Sequence, residues 1–336
     1  MSDSFICRRS GNRDNGYVTI NFESGASHVE HSVPTPLSQE REVLSATSIG
    51  DYALFGGGYN GNSLSFAVVD AYNLSLTRST PTSLSEARER LAATSVGNHA
   101  LFGGGYGNSY SSTVDAYNLS LTRSTPTVLS EGRYNLAATS IGDYALFGGG
   151  YGNSYSQTID AYNSNLVRST PTSMSEGREQ LASTSVEGYN ANYALFGGGR
   201  HHSTDDSYST VDAYNASLTR STPISLSQAR GLLSATSVRT YYVKLTPIGT
   251  WMYEYYALFG GGNNGSGSST VDAYNTSLTR STPTPLSEAR GELAAARVGN
   301  LALFGGGYGN FYSSTVDVYD ENFVRYTAPK LSQARH

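Results

Sequence analysis

The sequence Ala-Leu-Phe-Gly-Gly-Gly occurs six times in this chain, and it constrains the fold more than any other feature. The glycine triplets begin at residues 56, 103, 148, 197, 260 and 305, so the spacings are 47, 45, 49, 63 and 45 residues. A period of this length holds about four short strands with their turns, which is the size of one blade of a β-propeller. The repetition also accounts for a length of 336 residues, which exceeds that of one simple domain.

The copy between residues 84 and 128 shows how one period divides into strands. Alternation and turn residues predict strands over residues 90–96, 99–102, 113–117 and 121–125, with a hairpin turn at Gly97-Asn98. The first strand has small and apolar residues, which suit the crowded wall of a central channel. Pro126 fits an outer edge strand, because such a strand can lack one amide donor.

These copies resemble the kelch repeat. The resemblance rests on the arginine before the first strand, the glycines that end the second and the tyrosine of the third, and it covers residues 37–330. It implies an all-β fold, a kelch-like β-propeller of six four-stranded blades. Kelch repeats usually carry a tryptophan on the fourth strand, whereas these copies mostly read Ser-Leu-Thr-Arg-Ser-Thr. Packing between blades must therefore rely on Leu, Phe and Tyr.

The chain divides into an N-terminal tail, 1–16, and a single propeller domain, 17–336. Residues 17–36 supply extra strands at the place where the third and fourth strands of a preceding copy would lie. Residues 331–335 repeat the lead-in at 226–230, but no first strand follows them. We favour six blades padded by the extra strands, and the alternative is a seven-bladed parent with an incomplete blade. The repeats span 37–83, 84–128, 129–173, 174–225, 226–285 and 286–330.

Composition excludes several classes of partner. A net charge of −5 with only two lysines gives no basic field for phosphate backbones, so we expect neither nucleic acid nor a membrane surface as a partner. The single cysteine, Cys7, excludes an internal disulfide and a Cys-type metal site. Residues 1–10 lack the apolar core of a secretory signal, and no apolar run reaches bilayer length. A cytoplasmic or virion protein is favoured, although the location stays unknown, as does the oligomeric state.

One arginine per copy precedes the channel-lining strand. A ring of such guanidinium groups at a channel mouth could bind carboxylates or phosphates as part of a ligand-binding face. The alternative is a structural role, since a residue repeated in every copy serves the fold, and four of the arginines have a glutamate two positions earlier as a candidate partner. The arginines are Arg41, Arg88, Arg133, Arg178, Arg230 and Arg290.

The loops after the glycine triplets are rich in Tyr, Asn, Gly and Ser. This composition is typical of paratopes, where rigid aromatic area is combined with adaptable hydrogen bonding, and aromatic rings also stack on sugars. The alternative is that Gly and Asn form turns and that Tyr shields blade edges. The ligand-binding candidates in these loops are Tyr59, Tyr106, Tyr110, Tyr151, Tyr155, Tyr308 and Tyr312.

The fourth and fifth copies depart from the pattern. Residues 200–206 read Arg-His-His-Ser-Thr-Asp-Asp, but adjacent histidines on an extended chain point to opposite sides, so we expect a solvated loop and no metal site. An insertion over residues 239–255 predicts a hairpin on the face opposite the tyrosine loops. It either docks a partner or extends a pair of blade strands. Its candidate interaction residues are Tyr241, Tyr242, Trp251 and Tyr253.

No catalytic motif supports an enzyme. The chain lacks a nucleophile elbow, a phosphate-binding loop and a zinc-protease helix, and the aspartate of Val-Asp-Ala-Tyr recurs in every blade as a structural residue would. We therefore expect no catalytic residues, no cofactor and no metal. The leading hypothesis is a non-enzymatic scaffold that presents its loops to a protein or glycan ligand. The alternative is a structural spacer of a larger surface or virion protein, and a glycan-active or oxidase enzyme is the least favoured reading.

Overall fold

The computed structural model describes residues 3–5, 17–23, 26–32, 35–62, 64–188, 191–201, 206–244 and 250–334, with backbone alone before residue 35 and over 241–252. All regular structure in these residues is β-strand. Six antiparallel sheets of four strands follow one another along the chain and form a six-bladed β-propeller, as the repeat predicts. No helix long and apolar enough to cross a bilayer occurs in the described part of the chain.

The strands before the first repeat form a sheet of their own. Among the described residues, 17–23 and 26–32 pair with each other and do not join a four-stranded blade, and residues 3–5 add a third strand to this sheet. The sheet has the order β1-β2-β3 and consists of β1 (Asp3–Phe5), β2 (Tyr17–Glu23) and β3 (Ala26–Ser32).

In each blade the chain runs outward from an inner first strand to an outer fourth strand. Blade 1 contains β4 (Ser45–Ile49), β5 (Tyr52–Gly56), β6 (Val69–Tyr72) and β7 (Arg78–Ser79). Blade 2 contains β8 (Ala92–Val96), β9 (His99–Gly103), β10 (Val114–Asn118) and β11 (Arg123–Ser124). Blade 3 contains β12 (Ala137–Ile141), β13 (Tyr144–Gly148), β14 (Ile159–Asn163) and β15 (Arg168–Ser169).

The fourth blade has an additional two-stranded ribbon, and the fifth has longer first and second strands. Blade 4 contains β16 (Ala182–Val186), β17 (Tyr193–Gly197), β20 (Val211–Asn215) and β21 (Arg220–Ser221), with the ribbon β18 (Arg200–His201) and β19 (Asp206–Ser207) beside it. Blade 5 contains β22 (Ser234–Lys244), β23 (Thr250–Gly260), β24 (Val271–Tyr274) and β25 (Arg280–Ser281). Blade 6 contains β26 (Ala294–Val298), β27 (Leu301–Gly305), β28 (Val316–Tyr319) and β29 (Arg325–Thr327).

The core lies in the seams between blades. In five seams the phenylalanine of one blade packs against the first triplet glycine of the preceding blade, and the surrounding Leu, Val, Ile and Tyr side chains of both blades are buried. A Cβ atom at Gly103 would lie 2.7 Å from the ring of Phe147, so the position excludes any larger residue. The same contact joins Phe102 to Gly56, Phe196 to Gly148, Phe259 to Gly197 and Phe304 to Gly260.

The rest of the triplet connects the blades through the backbone. Gly104 and Gly105 have φ angles of 68° and 110°, which favour glycine. The amide of Gly105 donates to the carbonyl oxygen of Arg133 in the next blade at 2.8 Å. A Cβ atom at Gly104 would lie 2.6 Å from that same oxygen. The triplet is therefore an inter-blade joint as well as the end of a strand.

A buried ion pair holds each blade together. In blade 3 the guanidinium Nη2 of Arg133 lies 2.7 Å from Oδ2 of Asp160 on the third strand, and both side chains are inaccessible to solvent. The same Nη2 donates to the carbonyl of Phe147 at 3.2 Å, at the end of the second strand. The equivalent pairs are Arg41–Asp70, Arg88–Asp115, Arg178–Asp212, Arg230–Asp272 and Arg290–Asp317, at 2.6–2.8 Å.

Removing one partner of this pair is expected to be far more costly than removing a surface partner. Arg133→Ala leaves Asp160 buried without its cation, which costs about 3–5 kcal/mol. The matched control is Arg168→Ala, because Arg168 contacts the same aspartate at 2.8 Å with a quarter of its side chain exposed, and its loss costs about 0–1 kcal/mol. Urea unfolding measures both, and equal losses would contradict the assignment of Arg133 as the central partner.

The buried tyrosines predict a loss of stability at alkaline pH. Burial, together with the nearby Asp160, raises the pKa of Tyr162, and Tyr117, Tyr214, Tyr274 and Tyr319 behave alike. An unfolded tyrosine ionises near pH 10, roughly its ordinary value, so above this pH the unfolded state loses protons that the folded state retains. The contribution of these tyrosines to the stability of the folded protein is therefore complete below that pH and falls as the pH rises above it. Phenolate absorbance and circular dichroism should change together, and ionisation of these residues with an intact dichroism spectrum would refute the prediction.

Candidate functional site

The structure places the repeated arginines inside the blades. Arg41, Arg88, Arg133, Arg178, Arg230 and Arg290 are 0–1% exposed, which corrects the expectation of a ring of accessible guanidinium groups. Their main partner is the aspartate of the third strand, because its carboxylate lies opposite the arginine once the blade has folded. The glutamate two positions earlier is more distant, at 3.9 Å for the pair Glu131–Arg133.

The residue after each buried arginine begins the candidate binding face. It pairs through its backbone with the first residue after the glycine triplet, as Glu89 does with Tyr106, whose amides and carbonyls exchange hydrogen bonds of 2.9 and 2.8 Å. Tyr106 in turn pairs with Tyr110 at the end of the loop. Each blade thus presents side chains of the lead-in and of the loop next to one another.

The loops of blades 2, 3 and 4 together form a continuous row of rings, which we call the tyrosine arc. Tyr110 and Tyr134 are stacked, with centroids 5.8 Å apart and an interplanar angle of 20°. Edge or tilted contacts of 4.8–6.0 Å connect the other tyrosines, and Tyr155 lies 3.7 Å from the imidazole of His201. The tyrosine arc consists of Tyr106, Tyr110, Tyr134, Tyr151, Tyr155 and His201.

The tyrosine arc brings together four of the tyrosines that the sequence suggested and adds others. Tyr106 and Tyr110 remain 40% and 38% exposed, so their rings are accessible although they pack on one another. Tyr308 and Tyr312 form a separate pair on blade 6, with centroids 5.2 Å apart. Tyr59 lies on blade 1, half-buried.

Sequence reasoning missed Tyr134. It stands in the position after the repeated arginine, which is Glu42, Glu89, Glu179, Gly231 or Gly291 in the other blades. The sequence did contain a signal for this residue, because no other repeat has a tyrosine at this position. Burial raises the pKa of the Tyr134 phenol, and the carboxylate of Glu179 adds to the effect.

Carboxylates and amides lie beside the tyrosine arc. The Nδ2 of Asn135 donates to the carboxylate of Glu179 at 2.8 Å, and Arg90 lies over the ring of Tyr134 at 5.8 Å. Oε1 of Glu89 is 3.6 Å from Nε of Arg90, whereas its buried Oε2 has no hydrogen-bond partner among the described residues. Burial is the main cause that raises the pKa of Glu89. The site therefore contains an unsatisfied acceptor that lies below its surface.

The second residue after each buried arginine lines the mouth of the central channel. This position has a left-handed φ of 47–56° in all six blades, although none of its residues is glycine. Such a conformation is strained, and it is typical of functional sites. The channel contains a cavity of about 460 Å³. The six residues, which differ from blade to blade, are Val43, Arg90, Asn135, Gln180, Leu232 and Glu292.

The insertion of the fifth copy extends the blade. β22 and β23 pair without interruption from Ser234↔Gly260 to Lys244↔Thr250, which is the extended-strand alternative. The ribbon contacts both neighbours, since the amide of Tyr255 donates to the carbonyl of Glu187 at 2.7 Å and Nε of Arg239 donates to Asn300 at 2.8 Å. Tyr253 is exposed, and the side chains of Tyr241, Tyr242 and Trp251 lie outside the described part.

The histidine-rich loop is described in part. Arg200 and His201 lie on β18, and residues 202–205 lie outside the described residues. Among the described side chains, no group of three His, Cys, Asp or Glu comes together in a way that could hold a metal ion.

One of the comparisons with known proteins supports the fold. No protein-family description matches the sequence, and no curated protein is similar to it. A solved structure titled "Structure of YjhT" matches 88% of this chain and 100% of its own, with a TM-score of 0.60 and 10% identity. Similarity at this identity shows a shared six-bladed β-propeller fold and nothing finer, so the kelch relationship stays a resemblance.

The strained channel position gives a prediction about stability. Gln180→Gly removes the cost of a left-handed φ, and Oε1 of Gln180 has no hydrogen bond to lose, so stability is expected to stay equal or to rise by up to about 1 kcal/mol. Ser183→Gly is the control, since Ser183 lies in the strand β16 and glycine there costs about 0.5–1 kcal/mol. Chemical unfolding compares the two variants, and a loss at Gln180 as large as that at Ser183 would refute the strain.

Proposed function

We propose that this protein is a non-enzymatic recognition module that binds a protein or glycan ligand through the tyrosine arc. The observation that carries the proposal is the contact of six rings from three blades in one row. Rings that support one another are already ordered before binding, so a ligand gains aromatic contact at a small cost in side-chain entropy.

The polar groups beside the tyrosine arc support the same function. Oε2 of Glu89, beside the tyrosine arc, and Oε1 of Gln180, at the mouth of the central channel, are buried acceptors without a hydrogen-bond partner among the described residues. An unsatisfied buried acceptor costs free energy, and a hydroxyl, amide or ammonium donor of a ligand would remove that cost once the surrounding side chains shift to expose the oxygen. Rings flanked by a few oriented polar groups are the usual composition of a recognition site.

The separation between fold and rim also favours recognition. The buried arginine, its aspartate and the triplet glycines are the same in every blade, and they perform structural tasks. The rim residues differ between blades: blade 3 presents Tyr134, Tyr151 and Tyr155, whereas blade 5 presents Gly231, Asn263 and Gly267. The face is therefore asymmetric, which a specific ligand requires and a uniform spacer does not.

Alanine substitutions on the tyrosine arc test the proposal. The protein is screened against a glycan array and a peptide array, and affinity for the best hit is measured by calorimetry. Tyr106→Ala and Tyr110→Ala each remove an exposed ring, so each is expected to lose about 1–3 kcal/mol of binding, roughly fivefold to 150-fold in Kd. Their melting temperatures should change little.

Tyr326→Ala is the matched control, because Tyr326 is an exposed tyrosine on the outer strand of blade 6 and belongs to no candidate site, and this variant should bind as the unchanged protein does. Equal loss in all three variants would refute the tyrosine arc as the site. The absence of detectable binding on both arrays would favour the alternative that the protein is a structural spacer.

A further inference from the structure

We propose that the N-terminal sheet β1-β2-β3 lies between blade 6 and blade 1 and closes the ring by covering the apolar faces of these two blades. This role is independent of the proposed function. In this role the sheet fills the gap between the two blades and completes the ring, although it is not one of the six four-stranded blades.

The five seams between consecutive blades show what a complete seam contains. In the seam between blades 1 and 2, Ile49, Leu54 and Val69 of one blade form a single cluster with Phe102 and Tyr117 of the next. The four other seams repeat this arrangement with side chains from both blades.

The faces of blade 6 and blade 1 do not share a cluster within the described side chains. Leu44, Phe55 and Tyr72 cluster only with residues of the first repeat. On the other side, Leu303 and Val316 cluster only with residues 296–331. The residues that meet at every other seam are thus divided here between two separate clusters.

Both faces are nevertheless buried. Phe55 is 5% exposed and Tyr72 is 1% exposed, while Leu303 and Val316 are each 2% exposed. Elsewhere the next blade buries the equivalents of Leu303 and Val316, and the preceding blade buries the equivalents of Phe55 and Tyr72. Another part of the chain must therefore cover these two faces, and the sheet that belongs to no blade is the available one.

The backbone places the N-terminal sheet at this seam from both sides. β1 contacts β26, the inner strand of blade 6. β3 ends at Ser32, just before the lead-in of blade 1, in which the amide of Ser38 donates to Asp70 at 3.2 Å and the carbonyl of Thr35 accepts from Tyr72 at 2.9 Å.

The other lead-ins make the same bonds after leaving the fourth strand of a preceding blade. In blade 2 the amide of Ser85 donates to Asp115 at 3.0 Å, and the hydroxyl of Tyr117 donates to Thr82 at 2.7 Å. β3 therefore occupies the chain position of a fourth strand next to blade 1, while β1 contacts blade 6. The sheet spans the seam.

Cross-linking in the full chain tests this placement. In a Cys7→Ser background, Ser4→Cys on β1 and Ala295→Cys on β26 are treated with a short bismaleimide, and we expect an intramolecular cross-link visible by mass spectrometry. The matched control combines Ser4→Cys with Ala138→Cys, the equivalent position of β12 in blade 3, and should stay unlinked. No link in the first pair, or equal yields in both, would overturn the proposal.

Deletion of residues 1–32 gives a second, independent readout. We expect a lower Tm together with binding of a hydrophobic dye or association between copies, because Phe55 and Tyr72 on one side and Leu303 and Val316 on the other become exposed. A deletion variant that stays monomeric, binds no dye and keeps the Tm of the full chain would overturn the proposal as well.

Discussion

The buried pair of arginine and aspartate is the interaction on which the rest of the structure depends. The side chain of Arg133 connects the second and third strands of its blade through Phe147 and Asp160. Its carbonyl oxygen accepts the amide of Gly105 from the preceding blade. Arg133 thus connects two strands within its own blade and also joins that blade to the preceding one. Because the two buried charges compensate each other, replacing either the arginine or the aspartate alone would leave an uncompensated charge inside the blade.

This use of the repeated residues determines where recognition can lie. Arginine, aspartate, phenylalanine and the triplet glycines are committed to contacts inside blades and between them, so they cannot also distinguish a ligand. The positions that vary lie just after the buried arginine and just after the triplet. The fold brings these positions together on one face, where Tyr134 stacks on Tyr110 of the preceding blade.

The tyrosine arc shows why the site could be predicted only in part. Loop composition identified Tyr106, Tyr110, Tyr151 and Tyr155, since each follows a repeated glycine triplet at a fixed distance. It could not identify Tyr134, which precedes its first strand and reaches the arc only because its backbone pairs with that of Tyr151. The repeated arginines show the same limit, because the sequence left a ligand-binding and a structural role open and suggested a nearby glutamate as partner, whereas the aspartate partners are distant in sequence and adjacent in space.

The sequence by itself determined the six repeats, the division of each repeat into strands and the positions of its turns, but it left six and seven blades open until the structure showed that the N-terminal strands form a separate three-stranded sheet. These properties are local, because alternation, glycine triplets and Asn-containing turns act within one repeat of the chain. Tertiary structure alone decided what the glycine triplet meets, which carboxylate pairs with each arginine and which rings contact one another. Those contacts join residues from different strands and blades, and a linear pattern does not record such distances.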